Sequence, residues 1–296
     1  MREIMQNSST KPTSILVIGA TGLIGSTIFK YLSGNANFSV FGTIRNPLDK
    51  RFFLDSLNKR LIADLQASDI HKWNKVLNKI KPNVVINCLG ITKHLEGGND
   101  PLVTIPINAY FPHYLNILCQ EYGARLIHIS SDCVFSGSRG SYLEDDIPDA
   151  EDFYGRSKAL GEVSQGPAIT LRTSTIGHEL HGALGLLDWF LCQKGSCQGF
   201  KKAYFSGLPT IELAKIIERY VIPRPQLHGL YHVGAEKISK FDLLTRIARE
   251  YGKKIEIIPN VTFKIDRSLN SDRFKEATGY KPPSWKQLIE EMHLSK

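Results

Sequence analysis

The sequence predicts an α/β fold in which a doubly wound parallel sheet is followed by a smaller mixed α/β C-terminal lobe. Three observations carry this. Short apolar runs rich in β-branched residues recur from residue 14 to residue 172, with helix-length segments between them. A glycine-rich turn joins the first run directly to a helical pattern. After about Ser174 the rhythm changes to helical segments separated by short strands.

The strands are expected at residues 14–18, 39–43, 60–63, 84–87, 125–130 and 168–172. Continuous apolar strands joined by crossover helices imply a parallel sheet covered on both faces. Such crossovers are right-handed. In the second half, residues 210–220 read as a helix opened by a Thr cap and ended before Pro223. Residues 239–251 read as another, closed by Gly252. Ser284 and Gln287 fit a capping box ahead of the last helix. The expected organisation is a polar, disordered leader over 1–13, a dinucleotide-binding domain over 14–175 and a substrate lobe over 176–296. The lobe is expected to interleave with the core at the sheet's carboxyl edge, where ligands of such sheets bind.

Composition narrows the function class. The 296 residues are 42% hydrophobic and 22% charged, the balance of a globular protein in water. No apolar run approaches a membrane span, and the N-terminal residues lack the apolar core of a secretory signal, so a cytoplasmic protein is expected. Five cysteines (Cys88, Cys119, Cys133, Cys192 and Cys197) match no zinc or redox spacing and read as buried, reduced thiols. The net charge of +8 is scattered, with no basic run or aromatic-interleaved patch for nucleic acid. It suits an anionic small molecule instead. No cluster of metal ligands stands out.

Gly19-Ala20-Thr21-Gly22-Leu23-Ile24-Gly25 follows the first strand and opens a helix. The spacing G-x-x-G-x-x-G serves a Rossmann dinucleotide site. One glycine makes the tight turn, one admits the backbone to a pyrophosphate, and one lets helix and strand pack closely. Free N–H groups at the helix start then meet the phosphates, which makes Gly19, Thr21, Gly22, Leu23 and Ile24 candidate cofactor residues. The second strand ends Gly42-Thr43-Ile44-Arg45, without the acid that would hold a ribose diol. Arg45 matches a 2′-phosphate, so NADPH is expected, with NADH as the alternative. Asp64 and Leu65 after the third strand are placed by the adenine, and Cys88, Leu89 and Gly90 after the fourth on the cofactor side.

Ser130-Ser131-Asp132 ends the fifth strand, and Tyr154-Gly155-Arg156-Ser157-Lys158 follows some twenty residues later. Tyr154 and Lys158, four apart, share one helix face. A lysine ammonium beside a phenol lowers the phenol's pKa. A tyrosine so tuned gives a proton to a carbonyl oxygen, or takes one from an alcohol. The Ser131 hydroxyl holds the same oxygen.

At these residues the chain resembles the extended short-chain dehydrogenase/reductase superfamily, and within it the dTDP-4-dehydrorhamnose reductase family. The segment Ile129-Ser130-Ser131-Asp132-Cys133-Val134-Phe135-Ser136-Gly137 is similar to the family's strand-end motif. So are Tyr142 to Asp146, Gly161-Glu162, Leu171-Arg172-Thr173-Ser174, Gly207-Leu208-Pro209-Thr210, Gly229 to Val233 and Asp266 to Ser271. Two departures lie on the substrate side. Cys133 stands where the family usually carries Tyr, and Asp266-Arg267-Ser268 replaces a more usual Arg-Pro pairing. The resemblance implies reduction of a 4-keto group on a deoxysugar nucleotide for surface polysaccharide precursors. It implies Ser131, Tyr154 and Lys158 as catalytic residues, Asp132, Val134 and Arg267 on the substrate, Asn108 supporting the lysine, and a homodimer as a further expectation. The same scaffold also carries epimerases, dehydratases and a non-catalytic regulatory subunit.

Overall fold

The computed structural model describes residues 11–92, 95 and 97–296. The first ten residues of the expected leader fall outside the described residues. The first strand, β1 (Thr13–Ile18), begins at the leader's last position.

Eleven α-helical segments and twelve strands follow one another among the described residues. After β1 come α1 (Leu23–Ser33), β2 (Phe38–Thr43), α2 (Asp55–Asn58), β3 (Leu61–Ile62), α3 (Ile70–Ile80), β4 (Val84–Asn87), α4 (Pro101–Thr104), α5 (Phe111–Glu121), β5 (Arg125–Ser131), α6 (Phe153–Leu160) and β6 (Ile169–Thr173). The second half adds β7 (Thr175–Ile176), α7 (Leu186–Cys192), β8 (Ser196–Phe205), β9 (Leu208–Pro209), α8 (Thr210–Ile216), β10 (Gly229–His232), β11 (Ile238–Ser239), α9 (Lys240–Glu250), β12 (Glu256–Asp266), α10 (Asp272–Thr278) and α11 (Trp285–Leu294).

The main sheet has seven strands in the order β10-β6-β5-β4-β1-β2-β3, and every pairing is parallel. The winding reverses between β1 and β4, and in such sheets the reversal opens a crevice at the strands' carboxyl ends. Alternation along β1 fills both faces. Ile15 and Val17 pack with Ile28 and Phe29 of α1, while Leu16 and Ile18 pack with Trp73 and Leu77 of α3 and Phe111 and Leu115 of α5. Each such fully buried side chain stabilises the fold by about 1.5–3 kcal/mol. The third strand is shorter than expected, two residues, because its pairing is limited to Gly42–Leu61 and Thr43–Ile62 at the sheet's edge.

The sheet takes its last strand, β10, from beyond residue 175. The rest of the second half forms a three-stranded sheet, β11-β8-β12, with α9 packed beside it, and a two-stranded parallel pair, β7-β9, while α8 lies against α1. The helix expected over 210–220 is α8, continued by a π-turn over Ile217–Val221. Thr210 does not cap it; its hydroxyl accepts a bond from Thr27 of α1 at 3.0 Å, which ties lobe to core. Ser239 caps α9 through the N–H of Asp242, and the Ser284–Gln287 capping box is formed in full.

Candidate active site

Tyr154 and Lys158 sit on α6, whose N-terminus is capped by the Asp152 carboxylate accepting from the Gly155 N–H at 2.7 Å. Two glycines seat this helix. A Cβ on Gly155 would lie 2.1 Å from the carbonyl oxygen of Cys133, and one on Gly161 would lie 1.8 Å from that of Asn108. Only glycine allows these approaches, which bring the helix onto the turn after β5 at one end and onto the segment before α5 at the other. These contacts were not read from the sequence, though glycines bracketing the Tyr-Lys pair were their visible signal.

Lys158 is 4% exposed, and its ammonium donates to the carbonyl of Ile129 at 2.8 Å. That is its one hydrogen bond among the described residues, so two N–H groups remain for a ligand. Burial pulls its pKa down to about 8, against the opposing pull of the Glu162 carboxylate. The Tyr154 phenol is half-buried and its pKa is raised, by burial first and by nearby Cys133, while the Ser131 hydroxyl beside it pulls the other way. The expected lowering by Lys158 is therefore corrected: burial sets the direction, and the phenol is held protonated, the form that donates.

Ser131 ends β5 and caps a single 3-10 turn, Asp132–Val134, its oxygen accepting from the Cys133 N–H at 3.1 Å. Its proton points to Asp132 Oδ1 at 3.3 Å. Burial pushes the Asp132 carboxyl up, with Arg267 opposing. Arg267 reaches this corner from the segment after β12. Its Nε donates to the Phe135 carbonyl at 2.8 Å, its Nη1 lies 3.6 Å from Cys133 Sγ, and its Nη2 lies 3.9 Å from Asp152. Val134 differs from expectation. Its side chain is fully buried with Phe135, Tyr142 and Leu269, and its carbonyl accepts from Ala150, so it faces the core and not the opening.

On the other side of the crevice, Gly19 has φ +79°, which disfavours any other residue, and a Cβ there would lie 3.4–3.5 Å from the backbone of Cys88 and Leu89. A Cβ on Gly25 would meet the Gly19 oxygen at 2.1 Å, whereas one on exposed Gly22 would meet nothing nearer than 3.5 Å. The first turn of α1 carries no acid to neutralise its N–H groups. Thr21, Leu23 and Ile24 line this turn half-buried. Gly90 lies beside the lysine, its Cβ position 4.0 Å from Lys158 Nζ. The cradle, the open backbone at Gly22 and the lysine's spare donors fit a dinucleotide.

The remaining cofactor candidates divide. Arg45 is exposed after β2 and makes no ion pair among the described residues. Asp64 is exposed at φ 59° and pairs with Lys72 at 3.3 Å. Leu65 is turned into the core against Trp73, so its side chain offers no surface to an adenine. Asn108 spends its carboxamide on the Ile91 backbone at 2.9 Å and on Ser157 Oγ at 3.1 Å, holding the loop after β4 to the catalytic helix. Of the cysteines, Cys119 and Cys197 are buried as expected, but Cys192 is exposed at the end of α7.

The family described as RmlD substrate binding domain matches residues 13–295, which is nearly the whole described chain. The chain belongs to this family. Spore coat polysaccharide biosynthesis protein SpsK of Bacillus subtilis is 26% identical over 295 residues, spanning 94% of this chain and 96% of that protein. Methionine adenosyltransferase 2 subunit beta of Xenopus laevis is 27% identical over 263 residues, 83% of this chain and 75% of that protein. In fold, the chain is similar to dTDP-4-dehydrorhamnose reductase from Bacillus anthracis, solved in complex with NADP. The TM-score is 0.79 at 20% identity, over 98% of this chain and all of that one. Among the described residues no helix of this family member is long and apolar enough to cross a membrane, and no group of side chains is set to hold a metal ion.

Proposed function

We propose that this chain is an NADPH-dependent reductase of a nucleotide-activated 4-keto-6-deoxy sugar, acting in the cytoplasm on precursors of a surface polysaccharide. One observation carries the reading. The Tyr154 phenol, kept protonated by burial, stands beside the Ser131 hydroxyl on a helix whose Lys158 is pinned to β5 two residues earlier, at Ile129.

Gly19, Thr21, Gly22, Leu23 and Ile24 would hold the pyrophosphate, Cys88 to Gly90 the nicotinamide side, and Lys158 the ribose hydroxyls. Bound there, NADPH would supply the hydride, with NADP⁺ as its oxidised product. Ser131, its proton turned from Asp132 to the substrate, orients the keto oxygen by donating a hydrogen bond. As the carbonyl carbon accepts the hydride, the C=O π pair moves to oxygen, which takes the Tyr154 proton. The product is a secondary alcohol, and the phenolate is reprotonated from solvent. Lys158, while charged, stabilises that transient phenolate. Asp132 and Arg267 line the substrate side, and Arg267 must leave Asp152 to reach a diphosphate.

The test is NADPH oxidation, followed by absorbance, with a panel of nucleotide-linked 4-keto-6-deoxy sugars and NADH in parallel. Substrate-dependent oxidation supports the reductase, and the preferred panel member names the sugar. Tight NADPH binding without oxidation across the panel sinks it. The likeness to methionine adenosyltransferase 2 subunit beta favours a second reading, a non-catalytic binding subunit. Retention of Ser131, Tyr154 and Lys158 together weighs against that reading, and against an epimerase or dehydratase stands Arg45 in place of an acid. A homodimer is supported by exposed Tyr110 and Ile117, seven apart along one helical face, beside exposed Leu160 of α6. A sedimentation mass of one chain would rule it out.

A further inference from the structure

We propose that Glu162 is a positioning residue for the catalytic pair: its carboxylate, fixed by Arg172 and Ser130, is the anion that serves the Lys158 ammonium and ties the end of β5 to the segment that carries Tyr154. Its kinetic consequences rest on the reductase reading; its electrostatic ones do not.

Glu162 lies four residues beyond Lys158, just past the end of α6. Its Oε1 accepts from Ser130 Oγ at 2.7 Å and from Arg172 Nε at 2.7 Å, and its Oε2 accepts from Arg172 Nη2 at 2.6 Å. Arg172 is 2% exposed on β6. Three hydrogen bonds thus leave the carboxylate no freedom to turn. The consequence for β5 is a double tie. Lys158 holds the Ile129 carbonyl and Glu162 holds the Ser130 hydroxyl, so the two residues before Ser131 are both fixed to the segment that carries Tyr154. A buried ion pair alone contributes little net stability, which makes a purely stabilising role a poor account of a fork that also grips the catalytic strand.

Arg172 is oriented in turn by His232 on β10. His232 Nε2 lies 3.2 Å from Arg172 Nη1, a pure donor, so Nε2 accepts. Nδ1 lies 3.1 Å from the carbonyls of both Tyr142 and Asn270, so Nδ1 carries the proton. The ring is neutral and its tautomer is fixed. Asn270 belongs to the segment that also carries Arg267, so the chain of contacts runs from the lobe to the catalytic helix.

The groups facing Lys158 are Glu162 past its own helix, Cys88 at the end of β4 and His128 on β5. Burial keeps the Cys88 thiol protonated, pushed up to about 12, and holds the His128 imidazole neutral. Behind Glu162 stand Arg172 on β6, His232 on β10 and Glu144, which accepts the His232 N–H at 2.9 Å. Among these, Glu162 is the anion that offsets the desolvation of the ammonium.

The test is the titration of Lys158 by NMR of the full chain labelled with ¹³C at lysine Cε, the resonance assigned with Lys158→Arg. Wild type is expected to titrate near about 8. Glu162→Gln is expected to lower the midpoint by roughly one pH unit or more, and Glu162→Asp, which keeps the charge, to stay near wild type. If Glu162→Gln does not fold, the double variant Glu162→Gln/Arg172→Met is read against Arg172→Met, so that the lost guanidinium cancels. A lower midpoint in the double variant than in Arg172→Met supports the proposal, and no difference between them, or an unchanged midpoint in a folded Glu162→Gln, overturns it. For the strand tie, Ser130→Ala leaves the ion pair intact. It is expected to reduce kcat several-fold, with KM and the Lys158 midpoint unchanged, and wild-type kcat would overturn that part. Absence of reductase activity in wild type would sink the proposed function while leaving the titration a valid test.

Discussion

Lys158 donates its one hydrogen bond among the described residues to the carbonyl of Ile129, 2.8 Å away and two residues before Ser131. This bond ties the helix that carries Tyr154 to the strand that ends at Ser131, so the two hydroxyls stand on one rigid base.

Replacing Tyr154 by Phe removes the proton donor and little else. Turnover is expected to fall by about 10²-fold or more. NADPH affinity, measured by fluorescence titration, is expected to stay within a few-fold. Turnover equal to wild type would end the proton-donor assignment.

Arg45 stands exposed and without an ion pair among the described residues, free to meet a 2′-phosphate. Charge-assisted hydrogen bonds of this kind contribute about 1.5–3 kcal/mol, so Arg45→Ala is expected to weaken NADPH by roughly 10- to 100-fold. NADH binding should barely change. Equal losses for both dinucleotides would show that Arg45 does not read the phosphate.

Two glycines of the first turn separate packing from binding. Gly25→Ala forces a Cβ to 2.1 Å from the Gly19 oxygen and is expected to cost about 1–3 kcal/mol, seen as a lower Tm together with lost NADPH binding. Gly22→Ala meets nothing within 3.4 Å and should leave Tm unchanged while weakening NADPH. A Gly22→Ala protein that binds NADPH like wild type would show that no phosphate approaches this backbone.

Stability should fall as the solution is acidified through the histidine range. Burial, with Arg172 adding to it, pulls the His232 pKa down to about 3, and His128 is likewise lowered well below its ordinary value. The unfolded chain binds these protons from about pH 6.5 downward and the folded chain does not. Their stabilisation is therefore full above about 6.5 and lost between there and about 3, at roughly 1.4 kcal/mol per pH unit for each histidine. Urea denaturation at a series of pH values between neutrality and about 5 measures the slope. His232→Gln should reduce it by one proton's worth, and an unchanged slope would refute the assignment.

Much of the candidate site could be proposed from the sequence because its demands are local. The Gly19–Gly25 spacing, the missing acid after β2 and the four-residue step from Tyr154 to Lys158 are properties of a turn, a strand end and a helix face. The six first-half strands of the sheet were legible for the same reason, since their apolar runs need no partner to be recognised. What could not be read were orientations set by distant segments. Val134 and Leu65 are adjacent to site positions in sequence, yet their side chains turn inward to complete core clusters. Thr210 looked like a cap but bonds to Thr27, 183 positions earlier.

The sequence by itself determined the parallel sheet, the glycine turn and the candidate residues Ser131, Tyr154 and Lys158, because period, glycine placement and i, i+4 spacing are encoded in neighbours along the chain. Only the tertiary structure decided their protonation and alignment. The raised Tyr154 phenol, the lowered Lys158 ammonium and the Glu162–Arg172–His232 line arise where β5, β6, α6 and β10 bury charged groups together. Desolvation and hydrogen-bond geometry depend on which segments meet in space, and that is fixed only once the chain has folded.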